Sequence, residues 1–205
     1  MICMRNHSQK LNAEAIEGAA HYMGKGIAAV DLAGDEASYP PEFFRDVFAL
    51  SHKRGIPITI HAGEAAGADN IYEAIHNLGA TRIGHGVRLK ESDSIFEMVA
   101  SRGVPLEMCP VSNIQTKAVS GWDSYPIREY FNQGIKVTVN TDNPSVSGTT
   151  ITEEYRVLSK RFGFTHRELA AIVMNGVDAA FLEQSEKMEL KRNIFDELGR
   201  LGVSL

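Results

Sequence analysis

The sequence predicts an α/β fold: a (β/α)8 TIM-type barrel, present as a partial barrel of about six βα units followed by C-terminal helices. Three observations predict it. Short apolar runs rich in β-branched residues alternate with longer stretches whose apolar residues recur three and four apart. The strand candidates are almost continuously apolar, as parallel strands covered on both faces are. Polar residues capable of chemistry gather just past the strand ends: Asp31 with Asp35 and Glu36, His61 with Glu64, His85, Ser112 with Asn113, and Asp142 with Asn143. Helical crossovers suit a doubly wound sheet as well as a barrel. The barrel is preferred because it opens every C-terminal strand end on one mouth, whereas an open sheet concentrates its ligand at one switch point.

Taken in order, the strands are expected at Ile2 to Met4, Ile27 to Asp31, Pro57 to His61, Thr81 to His85, Val104 to Met108 and Ile135 to Asn140. Between them the periodicity predicts helices over Asn12 to Tyr22, Pro41 to Arg54, Asn70 to Leu78, Ser92 to Arg102 and Tyr125 to Asn132. Gly24, Gly55, Gly79, Gly103 and Gly134 stand where a left-handed glycine stops a helix. After Ser147 the pattern is helical: Thr152 to Arg161, His166 to Leu182 behind Thr165 as N-cap, and Ser185 to Leu198. No repeat or linker interrupts the run, so residues 1–205 are expected to form one domain. Two further βα units of roughly 30 residues each would bring the chain to about 265 residues, near the ~250 typical of a closed barrel. The expectation is therefore that N-terminal units are absent.

Composition narrows the function. The 205 residues are 43% hydrophobic and 23% charged, which excludes disorder and allows a sizeable core. Lys and Arg number 21 against 26 Asp and Glu, giving a formal charge of −5 with no basic cluster, so neither nucleic acid nor an anionic membrane is expected as partner. No segment approaches the ~20 apolar residues of a membrane helix, and no basic-then-apolar leader opens the chain. Cys3 and Cys109 are too few for a disulfide framework or a Cys-rich zinc knuckle, making the cytoplasm the default compartment.

The chemistry resides in three strand ends. In Ile58-Thr59-Ile60-His61-Ala62-Gly63-Glu64 a buried strand ends in an imidazole, a good zinc ligand, with a carboxylate three residues on that could shuttle a proton. The plainer alternative is a His capping the strand and a Glu opening the next helix. In Arg82-Ile83-Gly84-His85-Gly86-Val87-Arg88 glycines flank the imidazole and allow close approach, as a catalytic His needs; a loop-bonded structural His is the alternative. Val137-Thr138-Val139-Asn140-Thr141-Asp142-Asn143-Pro144 runs into an acid and an amide that turn chemistry alone could explain. His21, His52, His76 and His166 sit near helix ends and are read as background, and the Phe43, Phe44, Val47, Phe48 stripe as core.

Together, His61-Ala62-Gly63-Glu64, Gly84-His85-Gly86-Val87-Arg88, Cys109-Pro110-Val111-Ser112-Asn113 and Asn140-Thr141-Asp142-Asn143-Pro144 resemble the successive signatures of the adenosine deaminase family, metal-dependent barrels of the amidohydrolase type. Asp31-Leu32-Ala33-Gly34-Asp35-Glu36 and Asn175-Gly176 are similar as well. The resemblance implies a zinc ion bound by His61 and Asp142, with Asp142 also accepting a hydrogen bond from the metal-bound water. It makes Glu64 the proton shuttle and His85 the group that holds and polarises the attacking hydroxide. Gly34 then sets its N–H against the purine, and Asn143 faces the imidazole side of the ring. Many relatives carry Asp at that last position; an amide can donate to a ring nitrogen at any pH, whereas a carboxyl must first be protonated.

The implied activity is zinc-dependent hydrolytic deamination of adenosine and deoxyadenosine, releasing ammonia, in purine salvage. Adenine or an N6-substituted adenine nucleotide is the alternative substrate. The cytidine-deaminase type of zinc site, with Pro-Cys-x-x-Cys, is lacking. So is the His-x-His pair from which the family draws its other zinc ligands. A catalytic zinc usually takes three protein ligands, so the chain alone is expected to be short of donors. A further alternative is a non-catalytic partial barrel that associates with itself or with a complementary N-terminal segment, or that only binds a small molecule.

Overall fold

The computed structural model describes residues 1–204, whose contacts fall into two compact units, Met1–Leu106 and the part from Glu107 onward. In the first unit β1 (Ile2–Met4), β2 (Val30–Ala33), β3 (Ile58–Ala62) and β4 (Arg82–His85) alternate with α1 (Gln9–Tyr22), α2 (Arg45–Arg54), α3 (Ala68–His76) and α4 (Asp93–Arg102). The boundary falls within β5 (Leu106–Met108). The second unit carries α5 (Pro110–Gln115), α6 (Ile127–Asn132), β6 (Val137–Val139), α7 (Pro144–Ser147), α8 (Ile151–Phe162), α9 (His166–Ala179) and α10 (Gln184–Arg200). Strands pair in chain order, β1 through β6, and the three ladders resolved residue by residue, β1 to β4, are parallel. This is the partial (β/α) barrel pattern expected from the alternation of strands and helices.

In the first unit the strands bury Val30, Leu32, Ile58, Ile60, Ala62 and Ile83, and the helices bury Ile16, Phe48 and Ile71. Polar groups fix helices to strands within each unit. Asn12, buried in α1, donates to the Met4 carbonyl at 2.9 Å and accepts the Met4 N–H at 3.0 Å, holding the helix to the end of β1. Gly55 ends α2 in the left-handed region, where its N–H reaches the last carbonyls, as the helix-stop glycines predict. In the second unit Met108, Val137, Val139, Ile172 and Val177 are buried, and Asn175 of α9 donates to the Val137 carbonyl at 3.0 Å.

Three local expectations need correction. The second strand begins at Val30, not Ile27, because Ile27 is held in a tight loop: its carbonyl accepts Gly24 N–H at 3.1 Å and it bridges Met23. The helix predicted from Pro41 starts as a 3-10 turn over Pro41–Phe44, with the α-helix proper beginning at Arg45. Two short helices, α5 and α7, stand where only loop residues were expected; each has proline in its first turn, where the missing N–H costs nothing. Among the described residues no helix is long and apolar enough to cross a membrane.

Thr165 caps α9 as predicted, within a reciprocal box: it accepts Glu168 N–H at 3.3 Å while Glu168 accepts Thr165 N–H at 2.8 Å. Arg128 reaches the same carboxylate at 2.6 Å. The Arg128 hydrogen bond, then the Thr165 amide, pull the Glu168 carboxyl down to about 2. A depressed carboxyl contributes its full stability above its ordinary pKa of about 4.3 and loses it as pH falls toward the folded value. Glu168→Gln is thus expected to be less stable than the parent at neutral pH, with the gap narrowing by about pH 3, in urea melts across that range. A gap of constant size would refute the assignment.

Candidate active site

Register brings the first unit's site residues together. In the β3–β4 ladder His61 lies opposite Gly84, and Ala62 opposite His85. A Cβ on Gly84 would come to 3.0 Å from His61 Nδ1 and 3.2 Å from its Cα, so glycine is what lets the imidazole lie across β4. Regular pleating would direct His61 and His85, one register step apart, to opposite faces. The backbone prevents it: His85 closes its strand at φ 64°, a conformation rare outside glycine, and its ring meets that of His61 edge-on with centroids 4.9 Å apart. Asp142, after β6 in the second unit, is likewise left-handed at φ 56°. Of the three non-glycine residues with positive φ among those described, two are therefore candidate site residues, where backbone strain is known to gather.

Carboxylates orient both imidazoles. Asp31, at the middle of β2, accepts from His61 Nδ1 at 3.0 to 3.1 Å. Since a carboxylate only accepts, this puts a proton on Nδ1 and turns Nε2 to the side away from Asp31. Glu64 brings its Oε2 to 3.4 Å from Nε2 of His85, a ring only 2% exposed, whereas Glu64 keeps about a quarter of its side chain accessible. Arg5, fully buried past β1, donates to the His61 carbonyl at 2.7 Å and to the Tyr39 carbonyl. Burial pulls the Arg5 guanidinium below its ordinary value, opposed by the nearby carboxylates Glu36 and Asp31. Gly34 follows β2 at φ 110°, on the exposed surface, a conformation that favours glycine.

The second unit holds the remaining candidates. Asp142 accepts a short hydrogen bond from Ser112 of α5, 2.6 Å. Val111, beside Ser112, gives its N–H to Glu154, a carboxyl fully buried in α8 and pushed up by that burial. Asn143 caps α7, its Oδ1 accepting Val146 N–H at 3.3 Å, which leaves the NH₂ as the end the cap does not use. Asp31, Glu36 and Ser112 lay inside the motifs, but nothing in their spacing assigned them a role; Arg5 carried no signal beyond a charge beside a strand end.

Zinc is tested by the donor set. His61 belongs to the first unit and Asp142 to the second, and among the described residues no three His, Cys, Asp or Glu side chains are grouped to hold a metal ion. The residues described do not by themselves fit a complete zinc site, which needs about three protein ligands.

With this geometry in hand, the comparisons are specific. The family profile described as adenosine deaminase matches residues 1–197. An adenosine deaminase of Clostridium acetobutylicum is 40% identical over 194 residues, 95% of this chain and 58% of that protein, so the chain spans little more than half the relative's length. Among solved structures, an adenine deaminase from Arthrobacter aurescens superposes with a TM-score of 0.90 at 27% identity, over 97% of this chain and 60% of its own. An amidohydrolase from Burkhoderia ambifaria with bound Zn gives a TM-score of 0.91 at 21% identity, over 98% and 56%, a likeness of fold alone.

The Gly84 contact generates a prediction. Gly84→Ala should fold yet lose about 1–3 kcal/mol, the usual cost of overpacking, because the new methyl displaces His61 from Asp31. Chemical denaturation measures the loss, and the ¹⁵N shifts of the His61 ring report its tautomer. An unchanged ring signal would contradict the contact.

Proposed function

The chain belongs to the adenosine deaminase family, and from that premise we propose that the protein removes the 6-amino group of a purine by hydrolysis, with adenosine or deoxyadenosine as substrate. The carbon–nitrogen bond to the amino group breaks, a carbon–oxygen bond to water's oxygen forms, and ammonia leaves. The observation that carries the reading is the cluster at the ends of β3 and β4: two imidazoles with ring centroids 4.9 Å apart, one oriented by Asp31 and the other within 3.4 Å of Glu64.

Each residue has a task. Glu64, partly accessible, is the group that carries a proton to the ring nitrogen of the purine and so makes the ring carbon open to attack. His85, buried and left-handed at the strand end, holds the attacking oxygen in line through its imidazole. The Gly34 N–H is a donor for the purine, and the Asn143 NH₂ is a donor on the imidazole side of the ring. His61 and Asp142 would contribute two ligands to zinc; the ion's remaining ligands are not found among the described residues, and no step is drawn through it.

A second reading, adenine as substrate, is favoured by the 27% identity to a structure named as an adenine deaminase. Ammonia release from adenosine, deoxyadenosine, adenine and an N6-methylated adenine nucleotide, in zinc-containing buffer, separates the possibilities. Adenosine is expected to be turned over best, and Glu64→Gln to reduce turnover by more than about a hundredfold with the fold intact. No release from any of the four by the parent chain, or near-normal release by Glu64→Gln, would overturn the proposal.

A further inference from the structure

Glu36 is a carboxylate only 3% exposed, and nothing in the reaction above uses it. Four consecutive backbone amides are directed at it. Its Oε1 accepts Gly63 N–H at 2.6 Å, and its Oε2 accepts Glu64 N–H at 3.0 Å, Ala65 N–H at 2.8 Å and Ala66 N–H at 3.2 Å. The Asn70 side chain of α3 adds a fifth donor to Oε1 at 3.0 Å. Successive N–H groups that converge in a turn form a nest, a concavity built for an anion, and here the anion is supplied by the protein itself. The turn is tied from its other side as well: Arg88 gives its backbone N–H to the Gly63 carbonyl at 2.9 Å and its guanidinium to the Ala65 carbonyl at 3.2 Å.

Glu64 is the second residue of this turn. Where its Cα stands, and in which direction its side chain departs, is determined by what holds the four amides. We infer that Glu36 is the positioning residue of the proton shuttle: its carboxylate fills the Gly63–Ala66 nest and thereby fixes Glu64 beside His85. The inference rests on the role proposed for Glu64. A structural carboxylate would need only some of these bonds, whereas four amides on one side chain specify the conformation of the turn.

The test separates the nest from the reaction. In the ¹⁵N-labelled full chain, Glu36→Ala should raise amide exchange at Glu64, Ala65 and Ala66 about tenfold to a hundredfold, the loss expected for charge-assisted hydrogen bonds. The amides of Ile58 and Ile60 in β3 should keep their protection. Because the substitution leaves the nest and a cavity of carboxylate size, formate or acetate should restore protection, while chloride at equal ionic strength should not. Glu36→Gln, which keeps the volume but offers only one accepting oxygen, gives an intermediate exchange rate and covers the case in which the alanine variant fails to fold. Unchanged exchange at the three amides, or a loss of protection spread through β3 that carboxylates do not reverse, overturns the inference. If the parent chain deaminates, Glu36→Ala should lower kcat by at least about tenfold with KM within about threefold, and acetate should recover the rate. Should the parent chain release no ammonia, the proposed reaction fails, and amide exchange with carboxylate rescue still decides whether Glu36 holds the Gly63–Ala66 turn and Glu64 with it.

Discussion

The level ending of β3 and β4 is the constraint on which the first unit's site depends. Parallel pairing places His61 across from Gly84 and Ala62 across from His85, so the two imidazoles arrive at one end of the sheet within a single register step. Ile58, Ile60 and Ala62 are buried in β3, which keeps this register with β4 from Thr59 to Ala62. The hydrophobic pattern thus positions the two imidazoles. Two departures from regular geometry complete it: a glycine where a side chain would strike His61, and a left-handed residue where a strand would otherwise carry His85 to the opposite face.

Around this frame, charge is used to hold backbone rather than to add stability. Glu36 binds amides, Arg5 binds carbonyls, and Asp31 binds an imidazole; Glu36 and Arg5 sit in a setting too dry for a lone charge. Replacing such groups by apolar residues of equal volume need not cost stability, since desolvation offsets much of the attraction. What they supply is direction. A buried carboxylate with four amide donors permits one conformation of the turn it binds, and an acceptor at Nδ1 permits one tautomer of the ring. In the second unit Ser112 performs the corresponding task for Asp142, and Asn143 spends one end of its amide on a helix cap.

The sequence made this frame readable because short runs rich in β-branched residues, Ile58 to Ile60 and Val137 to Val139, suit strands buried on both faces, and every position in them, the central threonines included, is buried. His61, Glu64, His85 and Asp142 could be singled out because side chains capable of chemistry stand at or just past the ends of such runs. The start of β2 was not legible, since Ile27 has the composition of a strand and is excluded from it only by a local loop. Nor were α5 and α7, each too short for a periodicity to emerge; their proline at the first turn was the available signal. The tasks of Asp31, Glu36 and Arg5 depend on contacts across some 27 to 56 residues of chain, which no local pattern encodes.

The same separation explains why the proposed proton carrier and the proposed metal ligands are unequally equipped in this chain. Orienting a proton carrier requires only that one turn and one strand end be fixed, and a single compact unit can do this with its own backbone and a few buried charges. Holding a zinc ion requires several donors from different strands to converge, and the two candidate ligands identified belong to different units. Asp31 presets the tautomer of His61 with no ion present, so the direction in which that imidazole can ligate is decided by folding. A ligand aligned in advance loses little freedom when it binds, and the free energy of metal binding is then available for the donors that are not yet aligned. Completing the proposed metal site therefore depends on donors that are not yet aligned, while Glu64 and His85, the proposed acid–base pair, are held within the first unit by the pairing of β3 with β4 and by the Glu36 carboxylate.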